Sequence, residues 1–182
     1  MTHQFSTSYL SDVTALFHFY KRLAEGAMEQ VQDQELLATL DPEMNSIALI
    51  VKHMAGNMRS RWTNFLTSDG EKPDRNRDSE FVAPPRTRSD LMKLWNEGWE
   101  RVFETLSALT DHDLPTQVTI RGEPHSVLQA INRQLAHYAY HCGQIVFVAK
   151  HFKAEDWKSL SVPRNRSEEF TRRVRSGELS QR

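Results

Sequence analysis

Four stretches of this chain repeat apolar residues at steps of three and four, and a sequence written that way has few folds open to it. The first runs from about Ser8 to Val31 through Leu10, Val13, Leu16, Phe17, Tyr20, Leu23, Ala24, Ala27 and Val31. The second, SIALIVKHMAGNMRSRWTNFL, carries Ile47, Val51, Met54, Met58, Trp62 and Phe65, with Asn45 as its expected N-cap. The third opens on a Thr87 to Asp90 capping box and continues through Leu91, Leu94, Trp95, Gly98, Trp99, Val102, Phe103, Leu106 and Leu109. The fourth spans Ser126 to about His151, with Val127, Ile131, Leu135, Tyr138, Ile145, Val148 and Phe152 on its core side. Each is the signature of an amphipathic helix with one stripe to bury. Four such helices bury their stripes against one another, so the expected fold is all-α, a four-helix bundle.

The connections refine this expectation. Asp41 and Pro42 end the first pattern, and Asp111 to Glu123 is polar, with a short extended segment at Gln117–Ile120 and Arg121-Gly122 as its turn. Residues 69–88, DGEKPDRNRDSEFVAPPRTR, are longer than an ordinary loop. They read as a solvated crossover that leaves helices two and three parallel, or else as a lid whose Arg75, Arg77 and Phe81 close over a pocket. After Phe152 the chain turns charged; Trp157, Leu160 and Val162 are expected to dock, Glu168 to Val174 to form a short helix, and the last residues to fray. A chain of 182 residues is read as one domain, 1–182, with the bundle over about 8–152 and a docked or partly ordered tail over 153–182.

Composition excludes several classes of function. With 23 Lys and Arg against 24 Asp and Glu, the net charge of −1 offers no global field for nucleic acid or an anionic membrane. No apolar run reaches the ~18 residues of a membrane span, and the start MTHQFSTSYL lacks the pattern of a signal peptide. The single cysteine, Cys142, has no internal disulfide partner and suits a reducing compartment, so the expected location is cytoplasmic. As a small apolar side chain on the fourth helix it reads as core rather than as a ligand.

Chemistry enters through histidine. His137 and His141, in QLAHYAYHCGQIVFVAKHF, share a helix face with Cβ atoms about 5–6 Å apart, close enough to hold one metal ion. The bland reading is a half-buried, hydrogen-bonded pair. Tyr138 follows His137 where a zincin carries Glu, which excludes the helical His-Glu-x-x-His site of a metalloprotease. Gln134 and Gln144 flank the pair, and either could orient an imidazole through its second nitrogen. On the second helix His53 borders the core and needs a polar partner there, and Gly56 would let another element approach closely. His53 lies roughly 12 Å along its helix and His141 roughly 15 Å back from the end of the fourth, so a crossover topology brings them to one level and a plain up-and-down topology does so a little less well. His18 reads as a flanking residue, and Trp95 and Trp99 as core.

The single His in IVKHMAGN and the His-x-x-x-His in LAHYAYHCGQI resemble the metal-binding pattern of the DinB-like (YfiT-like) superfamily of bacterial four-helix-bundle proteins. RWTNFLTSDGEKPDRNRDSEF and SLSVPRNRSEEF more narrowly resemble an uncharacterised branch of that superfamily, known as a domain of unknown function. The resemblance covers nearly the whole chain. It implies a three-histidine metal site of His53, His137 and His141 in an up-down-down-up bundle, often dimeric. Some relatives are S-transferases or isomerases that use bacillithiol, mycothiol or glutathione, and this branch brings no activity of its own.

Three neutral imidazoles leave a bound ion its full charge and an open position, the arrangement of a catalytic site. The expected function is therefore a divalent transition-metal protein (Zn, Ni, Mn or Fe), acting as a metal-dependent thiol S-transferase on a small electrophile. The expected partners are a small molecule, a low-molecular-weight thiol and a second copy of the chain, with no nucleic acid and no membrane. A metal-dependent hydrolase uses the same physics with water as nucleophile. Two readings of another class are a metal- or ligand-binding bundle without turnover, tied to stress or sequestration, and a structural dimer with core histidines. The sequence names no catalytic base.

Overall fold

The computed structural model describes residues 8–179, and the expected fraying of the last residues falls mostly outside that range, on 180–182. Among the described residues the chain is mostly helical: six α-helices and one two-stranded hairpin. The helices are α1 (Tyr9–Met28), α2 (Asp33–Leu37), α3 (Ile47–Trp62), α4 (Arg88–Ala108), α5 (Val127–Lys153) and α6 (Ser167–Arg175). The strands are β1 (Gln117–Ile120) and β2 (Glu123–Ser126). No helix is long and apolar enough to cross a membrane.

Side chains written next to the apolar stripes start the long helices. Ser8, Ser46, Thr87 and Ser126 each accept a hydrogen bond from the backbone N–H three residues on, satisfying a donor the helix itself leaves free. At α5 the box is reciprocal, since Gln129 Oε1 also accepts from the Ser126 N–H at 2.8 Å. The cap of α3 is Ser46 and not Asn45, because Ile47 is already fully buried and the helix must begin there. α3 stops at Trp62, short of the apolar pattern that runs on to Phe65, and Asn64 adopts a φ of 49° just beyond. The five-residue α2 is an element that apolar periodicity did not register.

The core is built around aromatic rings from all four long helices. Phe17 of α1 lies 5.8 Å from Trp62 of α3, 6.1 Å from Trp99 of α4 and 5.9 Å from Tyr138 of α5. Such pairs contribute about 0.5–1.5 kcal/mol each beyond the area they bury. Trp62 Nε1 donates to the Tyr138 hydroxyl at 2.9 Å, and that hydroxyl donates to Asn57 Oδ1 at 3.0 Å, whereas the buried Nε1 of Trp99 has no partner. Trp95 and Trp99 are fully buried, as their spacing implied.

Contacts order the helices. Gly98 of α4 sits over Ala55 and Met58 of α3, and further on Thr105 Oγ1 donates to the Trp62 carbonyl at 3.0 Å. Tyr9 donates to Asn132 at 2.7 Å near the start of both α1 and α5. Against α4, α1 pairs Glu25 with Trp95 at 3.0 Å and His18 with Phe103 at 3.8 Å between ring centres. Against α5, α3 pairs His53 with His141 at 4.9 Å between ring centres and Asn57 with Tyr138 at 3.0 Å.

The hairpin turns through Arg121 and Gly122, both at positive φ (57° and 77°), the conformation a two-residue hairpin turn needs. In the tail, Trp157 and Leu160 pack on the core while Val162 is exposed. Gln30 holds the tail to the end of α1 by accepting from the Lys158 N–H at 2.8 Å and donating to its carbonyl at 3.0 Å.

Candidate metal centre

His53 sits at the middle of α3, 4% exposed, on the face turned toward α5. His137 and His141 stand one turn apart on α5, both half-buried. Together they form a cluster whose ligand atoms all lie within 4.8 Å of one another, a group that could hold a metal ion.

The atoms that converge are the three Nε2 nitrogens. His137 Nε2 lies 3.3 Å from His53 Nε2 and 3.1 Å from His141 Nε2. The opposite nitrogens face outward. His53 Nδ1 lies 2.8 Å from Glu80 Oε2 and His141 Nδ1 lies 2.7 Å from Gln144 Oε1; both oxygens accept, so both Nδ1 atoms carry the proton. That tautomer leaves the lone pairs of His53 and His141 on the inward Nε2 atoms. Three nitrogens at about 2.0–2.1 Å from a common centre in tetrahedral geometry stand about 3.3–3.4 Å apart, close to the separations observed. Lone pairs set this close repel unless a cation or a proton lies among them. The donor set, its spacing and its outward hydrogen bonds therefore fit a transition metal.

Burial and mutual charge keep His137 and His141 neutral. Desolvation, then the neighbouring His141 and His53, lower His137 to about 3, and desolvation lowers His141 to about 4 against its hydrogen bond to Gln144. At neutral pH neither ring carries a second proton for a cation to displace; the Nδ1 of His137 is buried without a hydrogen-bond partner.

Glu80 comes from a short 3-10 turn, Asp78–Phe81, inside the stretch read as a solvated crossover. Much of that stretch is exposed, as the reading has it, but this turn is docked: the carboxylate is buried, and Phe81 of the same turn stacks on His53 at 4.7 Å between ring centres. Burial pushes the Glu80 carboxyl up, but hydrogen bonds from His53 and Arg75 outweigh it and hold the group below the usual carboxylate range. Arg75 donates to Glu80 through Nε at 2.8 Å and Nη2 at 3.0 Å, and reaches Glu71 at 3.2 Å. Glu71 also pairs with Arg61 of α3 at 2.9 Å and with Arg121 of the hairpin turn at 3.1 Å. Glu80 can lie against α3 only because residue 56 is glycine: a Cβ there would stand 2.7 Å from Glu80 Cδ. The close approach expected at Gly56 is thus made by this carboxylate.

The cluster opens on a cavity of about 580 Å³, within the range of small-molecule sites. Arg75, Arg77 and Phe81 are all in its wall, as the lid reading proposed. Of the two flanking glutamines, Gln144 holds His141, whereas buried Gln134 makes no contact with a ring nitrogen and its Oε1 has no partner. Cys142 is fully buried, with burial pushing its thiol up to about 12, so it belongs to the core. His18 is exposed and stacks on Phe103. Sequence reasoning missed Glu80, Glu71, Arg61, Arg121 and Arg133 as site residues.

A mostly helical protein with three imidazoles converging in the wall of a cavity defines a class, a helical protein with a candidate metal centre. Within that class the chain belongs to a family described as a protein of unknown function (DUF1572), whose family model matches residues 4–166. No curated protein and no solved structure matches the chain.

Proposed function

We propose that this protein is a divalent transition-metal protein of the DinB-like type, a metal-dependent S-transferase that joins a low-molecular-weight thiol to a small electrophile. The observation that carries the reading is the convergence of three Nε2 atoms in the wall of an open cavity, with two of the outward nitrogens held by Glu80 and Gln144. The helix contacts support an up-down-down-up bundle: paired residue numbers rise together between α3 and α4 and run oppositely between α3 and α5 and between α1 and α4.

His53, His137 and His141 would hold the ion, and a divalent ion so held acts as a Lewis acid that lowers the pKa of a thiol presented to it. The protein's own residues do the rest. Glu80 and Gln144 fix two of the imidazoles, Phe81 covers one face of His53, and the arginines of the wall favour an anionic nucleophile over its neutral acid. In the transfer the sulfur lone pair forms the new bond to the electrophilic carbon. The leaving group departs with its electron pair, and the thiol proton passes to solvent. Among the described residues no Asp or Glu lines the cavity, so deprotonation of the nucleophile would fall to the ion rather than to a carboxylate base.

Metal content of untagged protein by plasma mass spectrometry comes first, with near one equivalent of a transition metal expected. A screen of thiols against small electrophiles follows. A rate that requires both thiol and metal and falls about 100-fold in His141→Ala supports turnover. Full metal occupancy with no thiol-dependent rate supports binding without catalysis, and less than a tenth of an equivalent after incubation with Zn, Ni and Mn rejects the metal centre.

A further inference from the structure

We propose that the cavity above the histidines is an oxyanion subsite: its ligand carries a carboxylate or phosphate group held by Arg77 and Arg133, with the ligand's other end at the three Nε2 atoms. The second clause rests on the metal-centre reading; the first stands on the cavity wall alone.

Five arginines line the wall, Arg61, Arg75, Arg77, Arg121 and Arg133, and among the described residues no carboxylate does. Glu71 and Glu80 lie behind it. They ion-pair with Arg61, Arg75 and Arg121 at 2.8–3.2 Å, so two negative charges answer three positive ones. Arg77 and Arg133 have no carboxylate partner among the described residues. The cavity therefore carries an excess of positive charge before any ion enters.

Arg77 and Arg133 are exposed, and their position ties them to the cavity. Arg77 lies over the Phe81 ring, 4.9 Å from its centre, and Phe81 stacks on His53, so this guanidinium is kept beside the cluster. Arg133 is one turn before His137 and shares its face of α5. A planar guanidinium matches the two oxygens of a carboxylate or phosphate, and Arg is the usual choice where such an anion is read. Arg61, 6% exposed, stands in the same wall with its outer nitrogens already engaged, Nη1 by the Gly70 carbonyl and Nη2 by Glu71 at 2.9 Å, so it adds charge to the cavity and leaves the direct contact to Arg77 and Arg133. Positive charge gathered in one cavity of a chain with a net charge of −1 selects a small anion over a polyanion.

The test is calorimetry on full-length, metal-free protein at low ionic strength, with inorganic phosphate and succinate as separate probes; which probe binds distinguishes phosphate from carboxylate ligands. Saturable binding of either is expected. It should weaken at least tenfold in Arg77→Ala/Arg133→Ala and stay unchanged in Arg172→Ala on distant α6. Binding of neither probe, or equal binding by wild type and the double variant, overturns the subsite. Zinc uptake of the same samples is measured in parallel, and the double variant is expected to keep the wild-type stoichiometry. Anion binding without zinc uptake upholds the subsite and rejects the metal centre, whereas zinc uptake without anion binding does the reverse.

Discussion

Replacing Glu80 with Gln should weaken metal binding far more than its distance from the converging nitrogens suggests. The carboxylate accepts three hydrogen bonds, from His53 Nδ1 at 2.8 Å and from Arg75 Nε and Nη2 at 2.8 and 3.0 Å. An amide of the same shape offers one acceptor oxygen, so either His53 or Arg75 must face an N–H. Partners in this position are worth about 10–100-fold in metal affinity, which is about 1.4–2.8 kcal/mol at tenfold per 1.4 kcal/mol. Titration of zinc against a chromophoric chelator measures it, and urea unfolding of the metal-free variant separates affinity from stability. A companion variant isolates orientation from charge. Gly56→Ala leaves the carboxylate in place chemically but sets a Cβ 2.7 Å from its Cδ, pushing it off His53. The gain of about 1 kcal/mol in helix propensity offsets part of the steric cost, and urea unfolding of the metal-free variant separates what remains from the loss of zinc affinity. Zinc affinity within threefold of wild type in Glu80→Gln would refute the argument that Glu80 sets the imidazole.

Three further outcomes follow from the geometry. Desolvation raises Asp69, but backbone N–H groups of Glu71, Gly122 and Arg121 overcome it and bring its pKa from 3.8 to about 2. Its stabilisation is complete above about pH 4 and is lost as pH falls through 2, so Asp69→Asn should cost about 1–2 kcal/mol at pH 7 and little at pH 2, read from urea midpoints at both. Tyr138→Phe removes the acceptor of Trp62 and the donor to Asn57, and should lower stability by about 1–3 kcal/mol with zinc stoichiometry unchanged. Gly98→Ala places a Cβ 2.9 Å from Met58 Sδ and 3.3 Å from Ala55 Cα, where α3 and α4 touch, and should cost about 1–3 kcal/mol by thermal unfolding.

What could be read in advance divides along the same physical line. His137 and His141 were legible as a pair because helix periodicity fixes what a four-residue step means, whereas His53 read from its own surroundings as a core-bordering histidine and joined them through the family resemblance, with the rise per residue adding only a matching level. Gly56 was legible as a close approach, though not who approaches. Glu80 was not, since its partner His53 is 27 positions away and irregular chain has no period from which to infer facing. The trace it left is charge: EKPDRNRDSE sets acids and bases together in a stretch too long for an ordinary loop, and charges of both signs can pair where one sign would only repel. α2 escaped because five residues are too few for a period, although the Gln32 to Glu35 box marked its start.

The link between α3 and α4 supplies Arg75, Arg77 and Phe81 of the cavity wall and the carboxylate that holds His53. Consecutive helices whose contacts advance together, as α3 and α4 do, need a link that travels back along the fold. Asp69 ties that link to the hairpin turn, Glu71 gathers Arg61, Arg75 and Arg121, and Glu80 ends it on His53. An arrangement of this kind couples docking of the link to occupation of the nitrogens. Whatever free energy Glu80 lends to an ion by holding His53, the ion returns to the docked link, because coupling between two binding events is reciprocal. Since Phe81 and Arg77 travel with Glu80, the same coupling would bring the stacking ring and an unpaired guanidinium to the cavity when the nitrogens are occupied.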